Sequence, residues 1–539
     1  MRISGKIIDL TAGEIYDGYI IIEGGVILDK VREANSSKRF ILPGLIDSHI
    51  HIESSMLVPS RFAEAAARHG TVAVVSDPHE IANVVGIKGV EFMIENSRTV
   101  PLKFYFGAPS CVPATTFERS GGEIGIDELK RLMEMEEIKY LSEMMNYPGV
   151  IRGDREVAEK LNVAKRAGKP IDGHAPGLRG KQLEKYINAG INTDHESISL
   201  DEAREKINKG MKIQIREGSA ARSLDKLHFL IDENPDQLML CSDDLHPEML
   251  EKGHINILVR RLVNMGYDIL TILKIAVLNP HRHYGLETGL LRKGDNADFI
   301  IIDEPEKFNV METWINGVKV YDGSNVLFET IPVKAVNNFN SSKITVDDIC
   351  ITSRKGKIRV IEAIDGELLT GIYELELNDT GNKLESDTES DVLKIVVKDR
   401  YNDTKPSVAF IKGFGLKKGA FASSVAHDSH NIIAVGADDA SICSAVNKVV
   451  EMKGGLAVCE DGQCEGLLLE VGGIMSDVPC GTMAAKYKKL TDLVHAMGCQ
   501  LNSPFMTLSF MALLVIPELK ISDKGLFDGT RFEFVDLYI

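Results

Sequence analysis

The chain of 539 residues sets 62 Lys+Arg against 79 Asp+Glu, for a formal net charge of −17. That length exceeds what one hydrophobic core serves, so two or three domains are expected. With 44% hydrophobic and 26% charged residues the composition is globular, and the acidic balance excludes a surface built mainly to neutralise nucleic-acid phosphates.

Residues 1–40 alternate apolar and polar positions around Asp17-Gly18 and Gly24-Gly25, the pattern of short antiparallel strands. From 41 onward the texture changes to apolar runs separated by amphipathic helical stretches. Eight runs follow in order: 41–51, 71–79, 102–111, 139–145, 170–175, 191–197, 212–220 and 238–244. This alternation predicts a closed (β/α)8 TIM-like barrel. Alternating strands return at 291–304 and 310–323 and resemble the first 40 residues, so the two pieces are expected to form one small flanking β-domain. The expected division is 1–42 with 286–328 for that domain, 43–285 for the barrel, and 329–539 for a C-terminal α/β region that opens with hairpin-like runs, YELELND among them.

The longest apolar stretch, FMTLSFMALLVIP (505–517), falls short of the roughly 20 residues a membrane span needs and reads as a buried helix or strand. The start, MRISGKIIDL, lacks the charged and apolar regions of an export signal, so a cytoplasmic location is expected. The eight cysteines form no C-x-x-C and read as reduced thiols rather than a disulfide framework. Pro479-Cys480 is followed by Met483 where the zinc nucleobase deaminases carry their second cysteine, so that motif is absent.

Nearly every barrel run ends in a residue capable of chemistry, and barrel active sites assemble at the C-terminal ends of the strands. His49-x-His51 closes the first run, and the two-residue period of a strand turns both imidazoles to one face. His174 and His195 close the fifth and sixth runs and Asp243 the eighth, which brings five residues of metal-ligating type to one rim.

PGLIDSHIHIE (43–53) and NPHRHYGL with GLLRKGDNADFIIID (279–303) resemble the amidohydrolase superfamily, and within it the chain is most similar to the bacterial and archaeal adenine deaminases. The similarity runs through SDPHEIANVVG, PSCVPAT, LSEMMNYPGV, DGHAPGL, DHES, REGSA, CSDD and the late VAHDSHN, almost the whole chain. It implies hydrolysis of adenine to hypoxanthine and ammonia at a dinuclear divalent centre, with manganese or iron favoured; the imidazole and carboxylate ligand types also suit zinc. It places a Glu in the fourth strand, so Glu143 is the expected bridge between an ion held by His49, His51 and Asp243 and another held by His174 and His195. A homo-oligomer, a dimer, is the expected assembly. Neither a nucleic acid nor a membrane is expected as partner.

A carboxylate must move the proton that makes ammonia a leaving group. Asp243 is one candidate, by resemblance; Glu217, at the end of the seventh run, is the other, for proton or purine contact. His79 is assigned to catalysis and, with Asp77, Ser110, Cys111 and Asp244, to the substrate side. Because successive strand residues point oppositely, Asp244 is expected to orient a metal histidine rather than share the ion of Asp243. His427, Asp428 and His430 are expected to form a lid over the barrel mouth. His69, His228, His254, His281, His283 and His495 read as surface or packing residues. Two other readings stand beside the leading one: an amidohydrolase acting on a different purine or cyclic amide, and a catalytically dead barrel used as a binding module.

Overall fold

A computed structural model describes residues 1–377 and 381–539; the last two residues of the YELELND run lie outside the described residues. Each of the eight barrel runs carries a strand: β1 (Leu45–Ile50), β2 (Thr71–Ser76), β3 (Lys103–Ala108), β4 (Ile138–Met144), β5 (Ile171–Gly173), β6 (Thr193–Asp194), β7 (Lys212–Arg216) and β8 (Leu238–Cys241). The strands pair in parallel within two arcs, β1 to β5 and β6 to β8. Asn192 N donates to Ile171 O at 3.1 Å across one seam, and Asp243 N donates to His49 O at 3.0 Å across the other. The barrel is closed.

The continuous apolar run TVAVVS of β2 is buried at every position, as strands covered by helices on the outside require. The helix Pro59–Arg68 supplies part of that cover, turning Phe62, Ala63, Ala66 and Ala67 inward and starting on a proline, whose missing N–H has no intrahelical partner to lose there.

A seven-stranded sheet joins strands from both flanks of the barrel. Phe40–Pro43 pairs with Arg2–Asp9 on one side and Phe299–Ile302 on the other. Its own core contains Ile7, Ile20, Ile41 and Phe299, with Trp314 stacked on Phe299 at 5.4 Å. Because Phe40–Pro43 leads through Gly44 directly into β1, this sheet anchors the strand that carries His49.

The C-terminal region is built on an eight-stranded sheet with the helix Asp439–Met452 against it and a separate three-stranded antiparallel sheet that begins at Leu519–Ser522. The hairpin pattern holds where Gly356–Ala363 pairs antiparallel with Thr370–Leu377. The apolar stretch at 505 contains the wholly buried helix Pro504–Phe510. No helix among the described residues is long and apolar enough to cross a membrane.

The cysteine reading needs correction. Cys459 and Cys464 form a disulfide, with Cα atoms 4.2 Å apart, while the other six are free. Spacing alone hid the pair: the hairpin Gly455–Glu460 with Gln463–Leu468 turns in two residues, which sets Cys459 directly opposite Cys464.

Candidate metal centre and reaction chamber

The reactive side chains gather where the parallel strands end. His49 and His51 share a face of β1, with their Nε2 atoms 3.2 Å apart. Asp47, two residues earlier, fixes this end of the strand: it accepts His49 N at 3.2 Å and Ser242 N at 3.1 Å, and its other oxygen lies 2.8 Å from His254 Nε2. His254 is therefore a buried packing residue rather than a surface one.

Glu143, near the end of β4, stands at the centre. Its Oε1 lies 3.3 Å from His51 Nε2, while Oε2 lies 2.8 Å from His174 Nδ1 and 3.1 Å from His195 Nε2. Asp243 Oδ1 is 3.3 Å from His51 Nε2 and 3.9 Å from His49 Nε2. None of these six residues is more than 6% exposed. Burial alone would raise the Glu143 carboxyl, but His174 and His195 hold it well below the usual carboxylate range. Burial likewise works to lower His51, yet hydrogen bonds to Asp243 and Glu143 keep it well above an ordinary histidine. His49 is driven well down by burial and by the positive His195 and His51 beside it.

Divalent cations suit this set. His49, His195 and Asp243 offer ligand atoms within 4.8 Å of one another, as do Glu143, His174 and His195, and His51, Asp77, His79 and Glu143. Buried His49 Nδ1, His174 Nε2 and His195 Nδ1 have no hydrogen-bond partner among the described residues. Convergent buried imidazoles and carboxylates are the donor set of a divalent transition metal.

A second ring surrounds the first. His79 Nδ1 lies 3.0 Å from Asp77 Oδ2 and 3.6 Å from Glu143 Oε1, and its Nε2 lies 3.4 Å from Glu80 Oε1 and 3.7 Å from Asp428 Oδ1. Glu80 binds His427 Nδ1 through one oxygen and His430 Nε2 through the other. The C-terminal VAHDSHN segment thus reaches the barrel mouth. Burial opposes a charge on His427, but Glu80 and Asp244 push it up to about 9. In sequence Glu80 belongs to a polar cluster with Asp77 and His79 at the end of the second run, without a site role of its own; it sits beside His79 in the first turn of His79–Val85.

Three expectations need correction. Glu217 is not brought into the cluster: it pairs with Arg261 and accepts Leu224 N at 3.3 Å. Gln214 of β7 donates to Ser48 O inside the barrel, so by strand alternation Arg216 points inward and Glu217 toward the outer helix. Arg216 takes the inner place, with Nη1 2.5 Å from Asp243 Oδ2 and also paired with Glu196. Asp244 does not orient a metal histidine; it accepts Ser54 Oγ at 2.6 Å and lies 3.5 Å from Arg216 Nη2. Its ligand atom falls within 4.8 Å of those of His51 and Asp243, because the chain has left the strand and Asp243 adopts a left-handed φ of 53°. Ser110 and Cys111 line a separate cavity of about 670 Å³ that none of the cluster histidines borders. Ser110 Oγ donates to Glu143 O at 2.6 Å, supporting the strand from behind.

The cluster borders a chamber of about 30 Å³ that Leu368, Phe510 and Leu513 of the C-terminal region also line. Beside it lies an outer cleft of about 810 Å³, and His195, Glu196, Arg216 and Leu368 border both.

The model of the amidohydrolase family matches residues 40–320, and that of the adenine deaminase C-terminal domain matches 367–533. The adenine deaminase of Methanosarcina mazei is 52% identical over 550 residues, covering 99% of each chain. That of Salinibacter ruber is 49% identical over 539 residues, covering 100% of this chain and 99% of the other. Among solved structures, N-acetylglucosamine-6-phosphate deacetylase from Thermotoga maritima is similar with a TM-score of 0.45 at 15% identity, covering 60% of this chain and 100% of that one.

Proposed function

From a chain that belongs to the adenine deaminases of the amidohydrolase family, we infer the hydrolytic deamination of adenine to hypoxanthine and ammonia, a purine salvage reaction. The observation that carries this reading is similarity over essentially the whole chain, C-terminal region included, joined to six ligand-type side chains converging at one barrel mouth.

In this reading His49, His51 and Asp243 hold one divalent ion and His174 and His195 a second, with manganese or iron as the metal. The support for Glu143 as the bridge is that its two oxygens face different histidines, His51 on one side and His174 with His195 on the other. When bound, the cations supply the charge that makes water a nucleophile near neutral pH. Arg216 keeps Asp243 ionised: burial works to protonate it, but the guanidinium holds its carboxyl well below the usual range. Asp243 is thus ionised, the state needed both to hold a cation and to act as the proposed proton carrier between the attacking water and the departing amino group. His79, with Asp77 beneath it and Asp428 above, orients the purine ring, and Asp244 closes the same side. The substrate-side position first given to Glu217 passes to Glu196, which borders both the chamber and the cleft. The 1–42 with 286–328, 43–285 and 329–539 division accompanies this reading, with the last unit closing the chamber.

The test is ammonia release from adenine, adenosine, cytosine and hydantoin by manganese- or iron-loaded protein. Hypoxanthine formed in equal amount to ammonia supports the reading. Turnover of another compound without release from adenine overturns it.

A further inference from the structure

Leu368 borders the small chamber and the large cleft alike, and it is 8% exposed. It belongs to the connection between Gly356–Ala363 and Thr370–Leu377, and that connection is fastened at every step. The Asp365 carboxylate accepts Asn502 N at 3.0 Å, Gly366 O accepts Ala221 N at 3.2 Å, and Thr370 Oγ1 donates to Leu519 O at 2.9 Å. Leu368 O itself accepts Lys520 Nζ at 2.7 Å, and the same nitrogen donates to Phe510 O at 3.0 Å. Lys520 is fully buried, so one amino group ties together the two segments that roof the chamber.

We propose that Leu368 is a size filter for the N9 edge of the substrate, set in place by Lys520. This rests on the adenine reading above. The space beside the cluster, about 30 Å³, is a small fraction of that in the cleft, so most of the room for a bicyclic base lies on the cleft side of Leu368. The cleft, at about 810 Å³, falls in the usual range of ligand pockets. The proposal places C6 toward Glu143 and Asp243 and the five-membered ring, at the far end of the purine, at the boundary of chamber and cleft that Leu368 borders. Free adenine passes when that side chain turns, since N9 carries only hydrogen. A methyl or ribosyl group on N9 meets the Leu368 side chain, and the fastened backbone behind it does not retreat.

The experiment compares kcat/KM for 9-methyladenine with that for adenine in the metal-loaded wild type and Leu368→Ala. The ratio is independent of the active fraction of each preparation. It is expected to rise by about tenfold or more, the scale on which apolar pockets discriminate small groups. Leu368→Val, a smaller truncation, moves the ratio in the same direction and serves where the alanine variant does not fold. An unchanged ratio in a variant that still turns over adenine overturns the filter. Wild type inactive on adenine overturns the underlying reading instead, so the two failures are distinguishable. Lys520→Met frees both carbonyls and raises the same ratio; loss of stability with an unshifted ratio removes Lys520 from the proposal.

Discussion

The barrel mouth and the roof over it are built from opposite materials. The mouth is a buried set of histidines, carboxylates and one arginine, supplied by the ends of every barrel strand except β3. The roof over the chamber draws its apolar members from two parts of the chain, Leu368 from one and Phe510 with Leu513 from another, and its polar members, His427 and Asp428, come from a third. In the reading proposed above, the mouth carries the chemistry, and its residues compensate one another's charge; the roof governs access, and it depends on the backbone ties behind it. Substitutions should therefore fail in different ways in the two regions.

The largest effects belong to the mouth. Glu143→Gln is expected to deplete bound divalent metal, measured by elemental analysis, and Asp243→Asn to lower kcat by about 10²–10⁴-fold, the range for losing a positioned proton-transfer group. Full metal occupancy and activity in Glu143→Gln would remove it as the bridge. Arg216→Ala should be the most destabilising single change here: it leaves Asp243, Glu196 and Asp244 buried beside one another without their shared cation, and unpairing a buried charge costs roughly 3–5 kcal/mol. Denaturant unfolding measures this. A variant as stable as wild type would show that the three acids are balanced by other groups.

The roof answers to pH instead. Burial pushes the Lys520 ammonium down to about 7, whereas an unfolded lysine stays near 10.4. Between these values the unfolded chain binds the extra proton, so the contribution of this site to stability rises with pH across the window and is lost as pH falls through 7. Unfolding free energies of wild type and Lys520→Met, taken at pH 6.5, 8.5 and 10, should diverge in favour of wild type as pH increases, by roughly 4 kcal/mol at most. Parallel curves would show that Lys520 titrates normally.

The same contrast explains what the sequence disclosed. The mouth was legible because a parallel barrel places every strand end at one rim, so His49, His51, Glu143, His174, His195 and Asp243 meet in space although 194 positions separate the first from the last. The roof was legible only as the string VAHDSHN, because the resemblance marked it. Leu368 and Lys520 carry no chemical signature, and their relation depends on a backbone carbonyl that residue types do not reveal. Asp244 was misplaced for another reason: strand alternation was extended beyond Cys241, where the strand ends. The Cys459–Cys464 pair was hidden because its partner is defined by hairpin register, which a search for C-x-x-C ignores.

Glu217 gives the sharpest test of how far strand alternation governs the rim, and the smallest expected effect. It ends the same run as Arg216 and has the residue type of a proton carrier, yet the carboxylate faces Arg261 on the outer helix Ile255–Asn264. Its side chain is 10% exposed and that of Arg261 is 31% exposed, so the pair lies at the edge of solvent, where an ion pair contributes about 1 kcal/mol or less. Glu217→Gln should therefore leave kcat/KM for adenine within about threefold of wild type, far from the 10²–10⁴-fold of a proton-transfer residue. Glu196→Gln, which changes the inward-facing carboxylate bound to Arg216, should lower it more. Equal losses from the two variants would mean that the outer pair supports the rim through Arg216. A larger loss from Glu217→Gln would return that residue to the substrate side and show that the chain turns at the end of β7 during catalysis.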